Sequence, residues 1–217
     1  MTFDHVVPGR YVPTATMQAG GASLEWIADL LAGQEDVGRF DRLVAAAGAV
    51  DDADDLYFLP YLLGERSPHW NPRARGAFLG LSRRHGPAHL TRAVLEGVAF
   101  NLATCVEAFR SHGAPVDRVD AIGGGAASDT WLQILADVWG TTVRRRTVVE
   151  EANSLGAAIT AGVGVGLLPD FGAARLLSEV VATFEPDPAR HRVYTARHER
   201  FTDAYGRLEG WFEGGLA

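Results

Sequence analysis

The chain has 217 residues, 47% of them hydrophobic, enough to bury a proper core as one domain or two small ones. Its 20 Lys and Arg against 27 Asp and Glu give a net charge of −7, which argues against nonspecific binding to nucleic acid or to an anionic membrane as its main role. The one cysteine, Cys105, cannot form an internal disulfide, no apolar run reaches the ~18 residues of a membrane span, and the N-terminus lacks a basic-then-apolar signal pattern, so a cytoplasmic globular protein is expected.

At the N-terminus Phe3, Val6, Val7, Tyr11 and Val12 are broken by Pro8-Gly9 and Pro13, which predicts short extended pieces rather than a full strand pair. Gly20-Gly21-Ala22-Ser23 opens a helix with Leu24, Ile27, Ala28 and Leu31 on one face, and Ser23 reads as its N-cap. Residues 40–49 suit a second helix. The acidic run from Asp51 to Asp55 lacks the glycine and closing glutamate of a calcium loop and reads as a solvated turn. Leu56 to Leu63 predicts a buried strand ended by Gly64, and Glu65 to Gly76 a long polar loop of the kind that often carries function. From Pro87 a long helix places Leu90, Val94, Val98, Leu102, Cys105 and Phe109 on one stripe and stops at Gly113, with Gly97 and Asn101 near its inner face. His85 and His89 are separated by Gly86-Pro87, which breaks helical register and argues against a metal pair.

The stretch around which the chain is organised follows. Val119 and Ile122 mark a short strand, Gly123-Gly124-Gly125 predict a sharp turn at positive φ, and Ser128 or Asp129 can cap a helix with Leu132, Leu135, Ala136 and Trp139 on one face. A glycine turn opening a helix leaves amide N–H groups exposed, and with the positive end of the helix dipole these suit a phosphate or ribose oxygen. Two other readings stand beside the nucleotide: a tight βα turn with no ligand, and a dinucleotide site of an NADP-dependent reductase. Gly123, Gly125 and Arg144-Arg145-Arg146 favour the dinucleotide, but Ser128 occupies the position where that fingerprint wants glycine or alanine. Beyond lie a strand at Thr141-Thr142-Val143, a small-residue helix through Ser154 to Gly162, a helix over Ala173 to Val181, a polar break from Phe184 to Pro188, and a last helix with Tyr194, Phe201, Tyr205, Leu208 and Phe212 as its core stripe and Trp211 beside it.

These pieces in this order resemble the C-terminal domain of the FGGY carbohydrate kinases. Gly76-Ala77-Phe78-Leu79-Gly80-Leu81, followed after seven residues by His89-Leu90-Thr91-Arg92-Ala93-Val94-Leu95-Glu96, fits that family's long C-terminal signature, and Gly64-Glu65-Arg66-Ser67-Pro68-His69-Trp70 is similar to its xylulokinase branch. The likeness runs from about Phe3 to the final helix. It implies an α/β fold: an actin-like ATPase (RNase-H-like) C-terminal domain, 1–217, its sheet lacking the first strands and flanked by helices. It further implies an ATP-dependent sugar kinase whose intact parent phosphorylates a ketose hydroxyl, with ATP or ADP as the nucleotide. Gly21 and Glu25 match nucleotide-contacting positions, and Gly124, Gly125, Ala126 and Asp129 match the adenosine-side motif. A carboxylate at Asp129 would repel a triphosphate unless aimed at a ribose hydroxyl or the adenine amine.

The same resemblance places the sugar-binding domain, the catalytic aspartate, the Gly-Thr-Ser phosphate hairpin and the protein ligands of Mg2+ before a point equivalent to Met1. Sugar is therefore expected only with that N-terminal half, no catalytic or metal-ligating residue is assigned in this chain, and little turnover is expected of it alone. The alternative is a non-catalytic nucleotide-binding or docking fragment. A sheet without its first strands would also expose an edge open to a partner or a second copy in a homodimer.

Overall fold

A computed structural model describes residues 1–51 and 53–214. The N-terminal pieces do pair: β1 (Thr2–Asp4) and β2 (Tyr11–Pro13) form an antiparallel hairpin with Thr2 opposite Pro13. The turn at Pro8-Gly9, where φ of Gly9 is 77°, reverses the chain where the prolines argue for interruption. Next come α1 (Gly20–Ala32) and α2 (Arg39–Gly48). The N-cap of α1 is Ala19, not Ser23; Ser23 is buried one turn inside, and its hydroxyl donates back to the Ala19 carbonyl. In the acidic run Asp52 lies outside the described residues, while Asp54 pairs with Arg84 and Asp55 with Arg200.

The apolar run at Leu56 is buried through Tyr61, but only β3 (Tyr57–Leu59) is strand; it pairs antiparallel with β4 (Ala77–Leu79), and Pro60, which has no N–H to give the ladder, follows its last residue. Helix α3 (Pro87–Ser111) is the centre of the molecule. Every residue from Thr91 to Asn101 is buried, so the helix is enclosed on all sides and not only along its apolar stripe. At its start His89 Nδ1 accepts the Gly86 N–H at 3.3 Å, a local hydrogen bond that employs one of the two spaced histidines. It ends at Gly113, φ 81°, with the Ala114 N–H returning to the Phe109 carbonyl at 3.0 Å.

The C-terminal third carries a three-stranded sheet in the order β5-β6-β7, with β5 (Arg118–Ala121) parallel to β6 (Thr142–Arg146) and at an open edge. Between them a single 3₁₀ turn (Gly124–Ala127) leads into α4 (Asp129–Trp139). After α5 (Ala152–Gly164), the helix expected over Ala173 to Val181 stops early as α6 (Ala173–Leu177). Val180–Phe184 becomes β7, antiparallel to β6, because β6 offers a free edge and a β-branched segment fits it. The last helix is α7 (Pro188–Gly214); Tyr194, Phe201, Tyr205 and Phe212 are buried along it as expected, and Trp211 is exposed.

Two contacts fix α3 in this frame. At Gly97 a Cβ would lie 2.1 Å from the Phe58 carbonyl oxygen, so only glycine lets α3 press onto β3. Around Glu96, 1% exposed, charges converge: Arg92 Nε at 2.8 Å, Arg197 of α7 at 2.9 Å and the Tyr194 hydroxyl at 3.0 Å. Arg92 also donates to the carbonyls of Ala47 at 3.1 Å and Val50 at 3.2 Å, tying in the end of α2. Glu96→Ala would leave two guanidinium groups buried without their counter-charge and is expected to cost about 3–5 kcal/mol. Gly97→Ala is expected to cost at least about 1–3 kcal/mol through overpacking. Urea denaturation of both variants, followed by far-UV circular dichroism, checks these values.

Candidate functional site

Helices α1, α2, α3 and α4 surround one cleft of about 820 Å³. Val94, Leu95, Val98 and Leu102 of α3 form its floor. One wall is the start of α1, with Gly20, Gly21, Leu24 and Glu25; the facing wall is Gly124, Gly125 and Ala127 of the 3₁₀ turn with Ser128, Thr130 and Trp131 at the start of α4. Phe40, Asp41 and Val44 of α2 close a third side. The two glycine-opened helix starts, a hundred residues apart in sequence, thus share a single cavity.

The turn itself is built differently from the sequence expectation. Only Gly123 has positive φ, 79°; Gly124 and Gly125 lie within the 3₁₀ turn. Gly123 N–H donates to the Val149 carbonyl at 2.8 Å, which fastens the turn to the segment after β6. Ser128 is the cap of α4, its hydroxyl accepting the Trp131 N–H at 3.2 Å. The α1 start has no side-chain cap, so its first-turn N–H groups have no side-chain acceptor. A Cβ built at Gly20, Gly21 or Gly124 meets nothing within 4 Å, and at Gly125 it meets the Trp131 indole Nε1 at 3.2 Å. The space at three of these four glycines is therefore open to a ligand and not filled by protein.

The remaining predicted residues lie elsewhere. Ala126 is 1% exposed and sits behind the turn, off the cleft lining. Asp129 also lies off the lining; its carboxylate is held at 2.7 Å by Arg145 Nη1. The arginine triplet is taken up within the sheet: Arg144 and Arg146 both reach Asp120, at 2.7 and 3.1 Å, and Arg145 reaches Asp129, so the cations that invited a 2′-phosphate already have carboxylate partners. None of the described residues lining the cleft is basic. Its charged groups are the carboxylates of Glu25 and Asp41, and among the described residues no group of three or more His, Cys, Asp or Glu is placed to hold a metal ion.

The polar loop after Gly64 supports the site from outside. Glu65, 3% exposed, accepts the Gln18 N–H at 3.2 Å and the Arg66 N–H at 2.7 Å on one oxygen and the Asn101 side-chain amide at 2.8 Å on the other. Ser67 N–H donates to the Thr16 carbonyl at 3.1 Å. The chain entering α1 is thereby pinned just ahead of Gly20. Burial raises the Glu65 pKa and these hydrogen bonds oppose the rise. Nearby, burial pushes the Cys105 thiol up to about 11, which keeps it a thiol at neutral pH. The sequence reading missed the α2 wall and Trp131; Phe40 and Val44, four apart on a short amphipathic helix, were the only signal available for the former.

Comparison with known proteins agrees with this architecture. Residues 2–165 match the FGGY family of carbohydrate kinases, C-terminal domain. The chain is 37% identical over 210 residues to the xylulose kinase of Escherichia coli (strain K12), covering 95% of this chain and 42% of that one, and 34% identical over 205 residues to the glycerol kinase of Koribacter versatilis, covering 94% and 40%. The crystal structure of xylulose kinase from Rhodospirillum rubrum superposes with a TM-score of 0.85 at 35% identity, over 98% of this chain and 43% of that one. The fold is that of an actin-like ATPase domain. This chain belongs to the FGGY family of carbohydrate kinases, as its C-terminal domain, and it spans about 40% of the length of the curated relatives it matches.

Loss of the α4 cap tests the construction of the cleft wall. Ser128→Ala is expected to lower stability by about 1 kcal/mol, the typical worth of an N-cap side chain, with no change of fold, as read by urea denaturation.

Proposed function

We propose that the cleft holds the adenosine part of ATP or ADP and that the chain is the nucleotide-binding half of a sugar kinase. The single observation that carries this reading is that both glycine-opened helix starts line one cavity. The apolar floor and the Trp131 and Phe40 walls suit a purine and exclude water from it. Gly21 and Gly124-Gly125 let backbone amides approach ribose or phosphate oxygens, and two converging helix N-termini favour negative charge there. Glu25 accepts from a ribose hydroxyl or the adenine amine. With no basic side chain lining the cleft, the γ-phosphate projects beyond it, toward groups in the part of the longer relatives to which this chain does not align. Ala126 and Asp129 act from behind the turn.

In the intact kinase the γ-phosphorus to β-oxygen bond breaks as a sugar hydroxyl oxygen bonds to phosphorus, and the hydroxyl proton passes to a base. Several of the relatives are named xylulose kinase, so a ketose is the proposed acceptor. The sugar contacts, the base and the ligands of a nucleotide-bound Mg2+ belong in this reading to that other part; among the described residues no group of three or more His, Cys, Asp or Glu is placed to hold a metal ion.

Gly124→Leu separates a ligand cleft from an empty one. Position 124 has ordinary φ and open space for a Cβ, so the variant is expected to fold with stability within about 1 kcal/mol of the parent. Calorimetric titration with ADP should show its affinity falling at least about tenfold, or about 1.4 kcal/mol. Unchanged ADP affinity in the folded variant, or no ADP uptake by the parent chain, would sink the proposal.

A further inference from the structure

We infer that Arg145 is a positioning residue for the nucleotide turn, and that Asp129 serves it as a strut and is not a ligand group. The inference rests on the nucleotide reading of the cleft but concerns residues on the opposite side of the turn. Arg145 stands on the central strand β6, where its backbone pairs with Ala121 of β5 and Ala182 of β7. From there one guanidinium nitrogen, Nη1, reaches Asp129 Oδ1 at 2.7 Å, the Ala127 carbonyl at 3.3 Å and the Ala126 carbonyl at 3.5 Å. The guanidinium also lies 5.9 Å from the centroid of the Phe184 ring of β7. One cation therefore gathers the last two carbonyls of the 3₁₀ turn and the first side chain of α4.

The geometry divides the turn into two faces. Gly124, Gly125, Ala127 and Ser128 contribute to the cleft lining, whereas Ala126 and Asp129 do not. The gripped groups are thus on or near the rear, and the Gly124-Gly125 backbone lines the cavity. A glycine-rich segment has the largest backbone entropy to lose on ordering, and Gly124-Gly125 carry no side chains that could pack to hold it. Ordering must come from its neighbours: the Gly123 to Val149 bond at one end and Arg145 at the other. Asp129 in the first turn of α4 also neutralises the cation, so the clamp adds little net charge beside a site for an anionic ligand. A turn fixed before binding spares the ligand the cost of ordering it, which appears as affinity.

The experiment compares Arg145→Ala, Arg145→Lys, Asp129→Ala and the double variant in this chain by two readouts. Amide hydrogen exchange without nucleotide is expected to show protection of residues 123–128 falling about tenfold in Arg145→Ala while α3 stays protected, with partial recovery in Arg145→Lys. Calorimetric titration with ADP is expected to show about tenfold weaker binding for Arg145→Ala, a similar loss for Asp129→Ala, and no further loss in the double variant, because the two residues act as one unit. Unchanged exchange over 123–128 in Arg145→Ala would overturn the inference, and so would additive losses in the double variant, which would mark Asp129 as an independent ligand group. If Arg145→Ala does not fold, Arg145→Lys and Asp129→Ala decide by the same readouts. A parent chain that takes up no ADP overturns the nucleotide reading alone, and the exchange measurement still decides the role of Arg145.

Discussion

The enclosure of α3 on every side between Thr91 and Asn101 is the constraint on which the remaining structure depends. A helix so placed is covered by protein everywhere but at the cleft floor, so each neighbour must meet it at a fitted surface. Gly97 lets the Phe58 carbonyl of β3 come within contact, and the Trp139 indole of α4 donates to the Ala99 carbonyl at 3.0 Å on another side. The buried Glu96, shared between Arg92 and Arg197, sets how α7 lies along α3, since a charge in a low-dielectric interior tolerates no arrangement that leaves it alone. Hydrophobic burial supplies the driving force; the charge cluster ties Arg92 and Glu96 of α3 to Tyr194 and Arg197 of α7.

From this arrangement the cleft follows. Because α1 and α4 both lean on α3, their N-termini are brought to one rim, and the side-chain-free glycines there leave the floor of Val94, Leu95, Val98 and Leu102 reachable. The lining is apolar and bears carboxylates with no basic partner among the described lining residues. Such a surface suits an uncharged ring held by stacking and a few directed hydrogen bonds, with any anion met by peptide N–H groups at helix starts. It is poorly suited to a triphosphate alone. The division of labour proposed between this chain and the rest of the longer relatives is consistent with that chemistry.

Both rims are held from outside the cleft. Glu65 and Ser67 pin the segment entering α1, and Arg145 with Asp129 pins the turn entering α4. The Glu65 anchor is taken out of water, where its bonds from backbone donors are stronger than at the surface, whereas the Arg145–Asp129 anchor is partly exposed. The polar loop after Gly64, which as a sequence suggests function, also braces the segment entering α1 in the structure, Glu65 accepting the N–H of Gln18, 47 residues before it.

Much of this was readable without coordinates where the information is local. The span of α3 is announced by Pro87, its periodic stripe and Gly113; Ser128 announces the start of α4; and the FGGY resemblance, carried by the run from Gly76 to Glu96, set the fold class. What misled was local signal that tertiary pairing overrode. Leu176, Leu177, Val180 and Val181 carry helical spacing, yet the edge of β6 drew Val180–Phe184 into a strand. Phe3 and Tyr11 sit among prolines, yet the turn between them closed a hairpin. Ser23 looks like a cap, but the first turn began at Gly20. The sequence alone determined most of the helices, α3 and α4 above all, and that two of them open on glycine, because propensity and capping act over a few residues. Only the tertiary structure decided that those two openings share a cavity, that Ala126 and Asp129 lie off its lining, and that Arg145 reaches both, because such relations arise from packing between residues far apart in the chain.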